Sequence, residues 1–247
     1  MEPKGKWIIG VTGASGMAYA LRLIQVVSAA VEELHVVFSE AALRVLKEEE
    51  GIKISFNKLS AEALFGERRD NVVFHNVKDI GAVIASGSAL FDGMVIVPCS
   101  MGTLGAIASG LSQNLVHRAA DVTLKEGRKL IIVPRETPLS AIHLENMLKL
   151  SRLGVTILPA MPGFYHQPRS IQELVDMLVV KIMDQMRIPS NLISRWGEHP
   201  AQRLSRSAAV GTISADTSEE KLLSGPPAED LSLRLERGAA RIAAEQD

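Results

Sequence analysis

The chain is predicted to be an α/β protein, a parallel sheet with helices on both faces. Three observations predict it. Short apolar runs alternate with amphipathic helical stretches from Ile8 to Met186. Two of those runs stop at a proline, Pro98 and Pro134. A Gly- and Ser-rich turn joins the first run to the first helix. Regular strand–helix alternation calls for crossovers that cover both sides of a parallel sheet.

Taken in order, residues 8–11 read as a buried strand. A helix follows over 17–30, with Leu21, Ile24, Val27 and Val31 at helical spacing. Residues 35–38 form a second strand and 41–50 a second helix. The stretch 51–71 is weaker and reads as an irregular excursion. A strand over 94–97 stops at Pro98, and 104–108 and 113–126 are helical. Another strand, 130–133, stops at Pro134. A helix over 142–153, a strand over 155–158 and a long helix over Ile171–Met186 complete the pattern.

Composition narrows the function. The chain is 47% hydrophobic and 22% charged, ordinary for a protein with a real core. Its 27 Lys and Arg balance 28 Asp and Glu, so no global charge points to nucleic acid or an anionic membrane. Cys99 is the single cysteine, which excludes an intramolecular disulfide and a Cys-rich zinc site. The six histidines include no HExxH and no ligand-like pair, so no metal is expected. The start lacks a signal-peptide pattern, and no apolar run approaches the roughly 20 residues that span a bilayer. The expectation is a cytoplasmic protein. After Trp196 the composition changes. Residues 197–247 contain no Phe, Trp or Tyr and carry Gly225-Pro226-Pro227. A domain over 1–198 and a largely disordered tail over 199–247 are expected.

Val11-Thr12-Gly13-Ala14-Ser15-Gly16 joins the first strand to the first helix. In an open α/β sheet, ligands bind outside the carboxyl ends of the strands. A helix N-terminus there offers free N–H groups to phosphate; the plainer reading is a tight turn with Ser15 as helix cap. The turn favours a mononucleotide over NAD(P): Tyr19 replaces the last glycine of a TGxxGxxG fingerprint, and the second strand ends at Ser39, a hydroxyl. A second turn, Pro98-Cys99-Ser100-Met101-Gly102-Thr103, follows the 94–97 strand. Ser100 and Thr103 suit either a cap or a ligand contact. Cys99 has no sequence-local partner to activate it and reads as a small buried thiol.

Charged and phenolic residues fall near these strand ends. Arg118 and Lys125 are seven residues apart on one helix face. Arg135 and Glu136 follow Pro134, Tyr165 follows the last strand, and Lys181 sits on the final helix. Gathered at one sheet end, they would bind a second anion, preferably phosphate. Singly, each reads as a solvated surface group. Glu49, in Glu48-Glu49-Glu50, reads by composition as part of a solvated face.

VTGASG, PCSMGTL, NLVHRAADVTLKEGRKLIIVPRETP, HLENMLKLS, LPAMPGFYHQP and RWGE together resemble the flavin prenyltransferases of the UbiX type. The resemblance implies a Rossmann-like (flavodoxin-type) fold and a dodecamer with sites at subunit interfaces. It implies FMN as cofactor and prenyl acceptor, and dimethylallyl phosphate as donor. Prenylated FMN would pass to a UbiD-type decarboxylase. Carried over by motif, Gly13, Ala14, Ser15, Ser39, Ser100, Met101, Gly102, Thr103 and Arg135 would contact FMN. Arg118, Lys125, Tyr165 and Lys181 would bind the prenyl phosphate. Ser15, Glu49, Lys125 and Glu136 would be catalytic. Lys181 stands where relatives often carry Arg, keeping charge without the bidentate fork. Two other readings are an FMN-dependent decarboxylase of the same fold and a non-catalytic flavin-binding regulatory module.

Overall fold

The computed structural model describes residues 5–193. The expected tail, 199–247, and the RWGE motif lie outside them. Six strands form one sheet: β1 (Lys6–Val11), β2 (Glu33–Phe38), β3 (Val72–His75), β4 (Gly93–Cys99), β5 (Lys129–Pro134) and β6 (Thr156–Ile157). Their order is β3-β2-β1-β4-β5-β6, and every pairing is parallel. The connecting helices are α1 (Met17–Ser28), α2 (Glu40–Glu50), α3 (Ala61–Phe65), α4 (Met101–Ala108), α5 (Leu115–Lys125), α6 (Ala141–Arg152) and α7 (Ile171–Met186).

The strands alternate sides as the pleat requires. Trp7, Ile9 and Val11 of β1 join Val95 and Val97 of β4 in one core, closed by α1, α2 and α7. Ile8, Met94 and Ile96 point the other way into a second core, closed by α4, α5 and α6. The sheet is therefore buried on both faces, as the Rossmann-like pattern predicts. Arg22 of α1 meets Asp176 of α7 at 2.7 Å and ties two helices of the first layer together.

The strand order places the crevice. From β1 the chain winds outward to β2 and β3, then returns to the centre and winds the other way through β4, β5 and β6. β1 and β4 are neighbours whose following helices diverge to opposite faces. The carboxyl ends of these two strands form the switch point where such sheets bind ligands.

The pattern-based reading misses β3. It is a four-residue edge strand, paired only with β2 and half-exposed, too short to show a period. At the other edge, the strand expected over 155–158 shrinks to two residues. The 51–71 excursion holds a 3₁₀ turn, Phe56–Lys58, and the short α3. The long helix over Ile171–Met186 is present with the bounds expected.

Candidate active site

The first turn is packed hard against α2. A Cβ on Gly13 would collide with that of Ala41, so only glycine lets the turn lie there. Gly16 takes φ +112°, a left-handed conformation that suits glycine, and stands at the N-cap of α1 with no side chain to cap it. Glu49 does that work from the end of α2. Its Oε2 accepts from the N–H of Gly16 at 3.0 Å and of Met17 at 2.8 Å. This corrects two expectations. Ser15 is not the cap, and the N–H groups of Gly16 and Met17 are taken by Glu49 rather than open to phosphate.

Burial pushes the Glu49 carboxyl up. Hydrogen bonds from Ser15, Met17 and Gly16, with the Arg135 guanidinium nearby, outweigh it and hold the group below its ordinary value. Glu49 is thus a carboxylate at neutral pH. Arg135 donates from Nε to the Ser15 carbonyl at 3.2 Å, so Ser15, Glu49 and Arg135 form one contiguous cluster. None of this was visible in a run of three glutamates.

Two further helix starts face the same end of the sheet. Ser39 caps α2, accepting from Ala42 N–H at 3.0 Å. Ser100 caps α4, accepting from Thr103 N–H at 3.3 Å, with the Thr103 hydroxyl 3.2 Å away. Gly102 is exposed, and a Cβ there would meet open space, so flat ligand surface can approach its backbone. Met101 and Ala14 are buried beside these turns. Cys99 is fully buried, and desolvation pushes its thiol far up, which rules it out as a thiolate nucleophile at neutral pH. Thr12, passed over in the sequence, joins the two turns. Its buried hydroxyl donates to the Pro98 carbonyl at 2.9 Å and accepts from Ser100 N–H at 2.8 Å.

Glu136 lies beside Arg135 and accepts from the N–H of Thr137 at 3.1 Å. Tyr165 sits in the loop after β6, its ring against His166, at the same end of the sheet. Arg118 is one turn into α5 and pairs with Asp121 at 2.9 Å. Lys125 does not join them. It ends α5, pairs with Glu126 and immediately precedes β5, so it lies where the strands begin. Lys181 is exposed on α7, about 15 Å along that helix from its start. α7 and α5 cover opposite faces of the sheet. The expected gathering of cations at one sheet end is therefore not found within one chain.

Among the described residues there is no cluster of three or more His, Cys, Asp or Glu side chains that could hold a metal. No helix among them is long and apolar enough to cross a membrane.

Comparison with known proteins agrees with this arrangement. The Flavoprotein family profile matches residues 1–183. A flavin prenyltransferase UbiX from Halalkalibacterium halodurans is 52% identical over 195 residues, 79% of this chain and 95% of its own length. The crystal structure of a dodecameric FMN-dependent UbiX-like decarboxylase from Escherichia coli O157:H7 superposes with a TM-score of 0.70 at 42% identity, covering 78% of this chain and 100% of that one. AnUbiX (PadA1), in complex with FMN and dimethylallyl pyrophosphate, superposes with a TM-score of 0.70 at 38% identity, covering 79% of this chain and 99% of that one.

Proposed function

This chain belongs to the UbiX-type flavin prenyltransferases of the Flavoprotein family, and from that premise we propose that it joins a dimethylallyl group from dimethylallyl phosphate to N5 and C6 of reduced FMN. The product, prenylated FMN, would serve a UbiD-type decarboxylase. The observation that carries the reading is the Ser15–Glu49–Arg135 cluster at the switch point, beside capped helix starts at Ser39 and Ser100.

The residues fit FMN. Glu49 occupies the start of α1, which leaves the starts of α2 and α4 as the anion-binding termini for the flavin phosphate. Gly13, Ala14, Ser15, Met101, Gly102, Thr103 and Arg135 line the turns around them. Reduced FMN supplies the electron-rich N5 and C6. The donor's carbon–oxygen bond breaks, and its electron pair leaves with phosphate. Cations and a phenol that face the leaving oxygens stabilise that growing charge. Arg118, Lys125, Tyr165 and Lys181 are assigned this task. N5 gives up its proton as the first bond forms. A proton added to the dimethylallyl double bond makes its tertiary carbon the electrophile for C6, and as that second bond closes Glu49, held ionised, would accept the proton lost from C6. Glu136 would protonate the departing phosphate, and Ser15 would pass protons between Glu49 and the flavin edge.

One chain cannot bring Lys125 and Lys181 to one phosphate, since the sheet separates them. The site is therefore composite: one copy supplies the flavin turns, and neighbouring copies supply the cations. The dodecameric relative favours this arrangement. The buried thiol of Cys99 leaves the decarboxylation of cysteine peptides without its reactive sulfur.

The test is direct. Purified protein is mixed anaerobically with reduced FMN and dimethylallyl phosphate, and the flavin is weighed by mass spectrometry. FMN gains one dimethylallyl group and phosphate is released. Flavin of unchanged mass in an assembled, FMN-binding protein would refute the reading.

A further inference from the structure

We propose that Thr12 is a positioning residue: its buried hydroxyl sets the separation of the two turns that grip the flavin. This rests on the FMN reading above and adds a residue to it.

The argument starts from the sheet. β1 and β4 are held in register by their ladder only as far as Gly10 and Ile96. Beyond that pair the crevice opens, because the following helices leave for opposite faces. Past that pair a single backbone bond, from Thr12 N–H to the Pro98 carbonyl, still joins β1 to the chain after β4, and none joins Thr12 to Ser100, so the Thr12 hydroxyl supplies the remaining bonds between the Gly13 turn and the Ser100 turn. Thr12 lies just past the last ladder pair and is 1% exposed. A hydroxyl has one donor and two acceptor sites. Here the donor goes to the Pro98 carbonyl at 2.9 Å, and an acceptor site takes Ser100 N–H at 2.8 Å. The Thr12 N–H also donates to the Pro98 carbonyl, at 3.2 Å. Three hydrogen bonds thus cross the crevice floor from one residue.

Their far ends matter for binding. Ser100 is the cap of α4, and its hydroxyl, with that of Thr103, faces the ligand end of the sheet. On the near side, Thr12 precedes Gly13 and Ala14, and its own carbonyl accepts from Ala14 N–H at 2.9 Å. Arg135 N–H continues the stitching by donating to the Cys99 carbonyl at 3.2 Å. Removing the Thr12 hydroxyl leaves the half-buried Ser100 N–H without its partner. It also frees the second turn to shift against the first. Valine has nearly the shape of threonine but no hydroxyl, so Thr12→Val isolates the hydrogen bonds from the packing. Thr12→Ser keeps the hydroxyl and loses only a methyl.

The experiment measures FMN affinity by flavin fluorescence for the full-length wild type, Thr12→Val and Thr12→Ser, each checked for assembly by size-exclusion chromatography. Steady-state prenyl transfer at saturating FMN accompanies it. Thr12→Val should raise the Kd for FMN about tenfold or more, while Thr12→Ser stays within about threefold of wild type. The KM for dimethylallyl phosphate should move less than about twofold in either, because the phosphate cations are not on these turns. A residue that only stabilises the fold would lower the melting temperature and leave the Kd alone. An assembled Thr12→Val with wild-type Kd overturns the proposal, and so does a Thr12→Ser as weak as Thr12→Val. If Thr12→Val does not assemble, Thr12→Ala is read the same way. Failure of both to assemble makes Thr12 a folding residue and overturns the proposal. A wild type that binds no FMN would instead refute the functional reading.

Discussion

The two ends of the sheet differ in what one chain can complete. At the carboxyl end, the turns after β1, β4 and β5 are laced together through Thr12, Glu49 and Arg135. Thr12, Glu49 and Arg135 each meet a group from another of these elements within the same chain. Lys125, by contrast, stands where the strands begin, and Lys181 is exposed on the helix layer of the opposite face. On the proposed function, the first region is the flavin cradle, and the second holds charges that acquire a shared target when copies assemble. Binding FMN and transferring a prenyl group should then be separable.

The largest break between them should come from Lys125→Ala. Losing one preorganised donor to a developing charge commonly costs on the order of 3 kcal/mol, or about a hundredfold in rate. Prenyl transfer in single turnover should fall by that amount, with the Kd for FMN unchanged. Equal loss of FMN binding would erase the distinction between the two ends.

Glu49→Gln should act on the other side of the comparison. The amide keeps the shape but cannot take a proton. Phosphate release should fall less than about threefold, while the spectrum of the ring-closed product appears at least tenfold more slowly. The pH dependence has a defined sign. The folded carboxyl lies below its ordinary value, so Glu49 stays ionised as pH falls through the usual glutamate range near 4.3. The stability linked to its cap of α1 is present above the unfolded value and is lost only as pH falls through the lower folded one. Wild-type ring closure should therefore be flat from pH 7 down to about pH 5. Ring closure at the normal rate in Glu49→Gln would move the base to Glu136 or Ser15.

The smallest effect belongs to Cys99→Ala. The thiol is buried and protonated, so prenyl transfer should change less than about twofold. A large loss would give Cys99 a chemical role that its burial denies.

What the sequence disclosed follows the same divide. The central strands were legible because burial on both faces demands continuous apolar runs, as in Met94-Val95-Ile96-Val97. Ser100 was legible as a cap because a cap is a local motif, whereas Ser39 stood out only as the hydroxyl that ends the second strand. β3 was not, because an edge strand pairs once and buries little. Glu49 could not be read as the cap of α1, since its partners Gly16 and Met17 belong to a different element. Thr12 was silent for the same reason, with its partners on the turn after β4. Placing Lys125 and Lys181 needed topology: both looked close to strand ends along the chain, and only the strand order shows the sheet between them.

Subunit complementation tests the central claim most directly. Arg135→Ala disables the flavin side and Lys125→Ala the phosphate side, each measured alone and then after denaturing, mixing in equal amounts and reassembling. If the site draws Arg135 and Lys125 from different copies, random mixing leaves about a quarter of the sites intact in both, and prenyl transfer should return to about a quarter of wild type. If the mixed assemblies are no more active than the average of the two variants, one chain supplies both residues and the composite site is wrong.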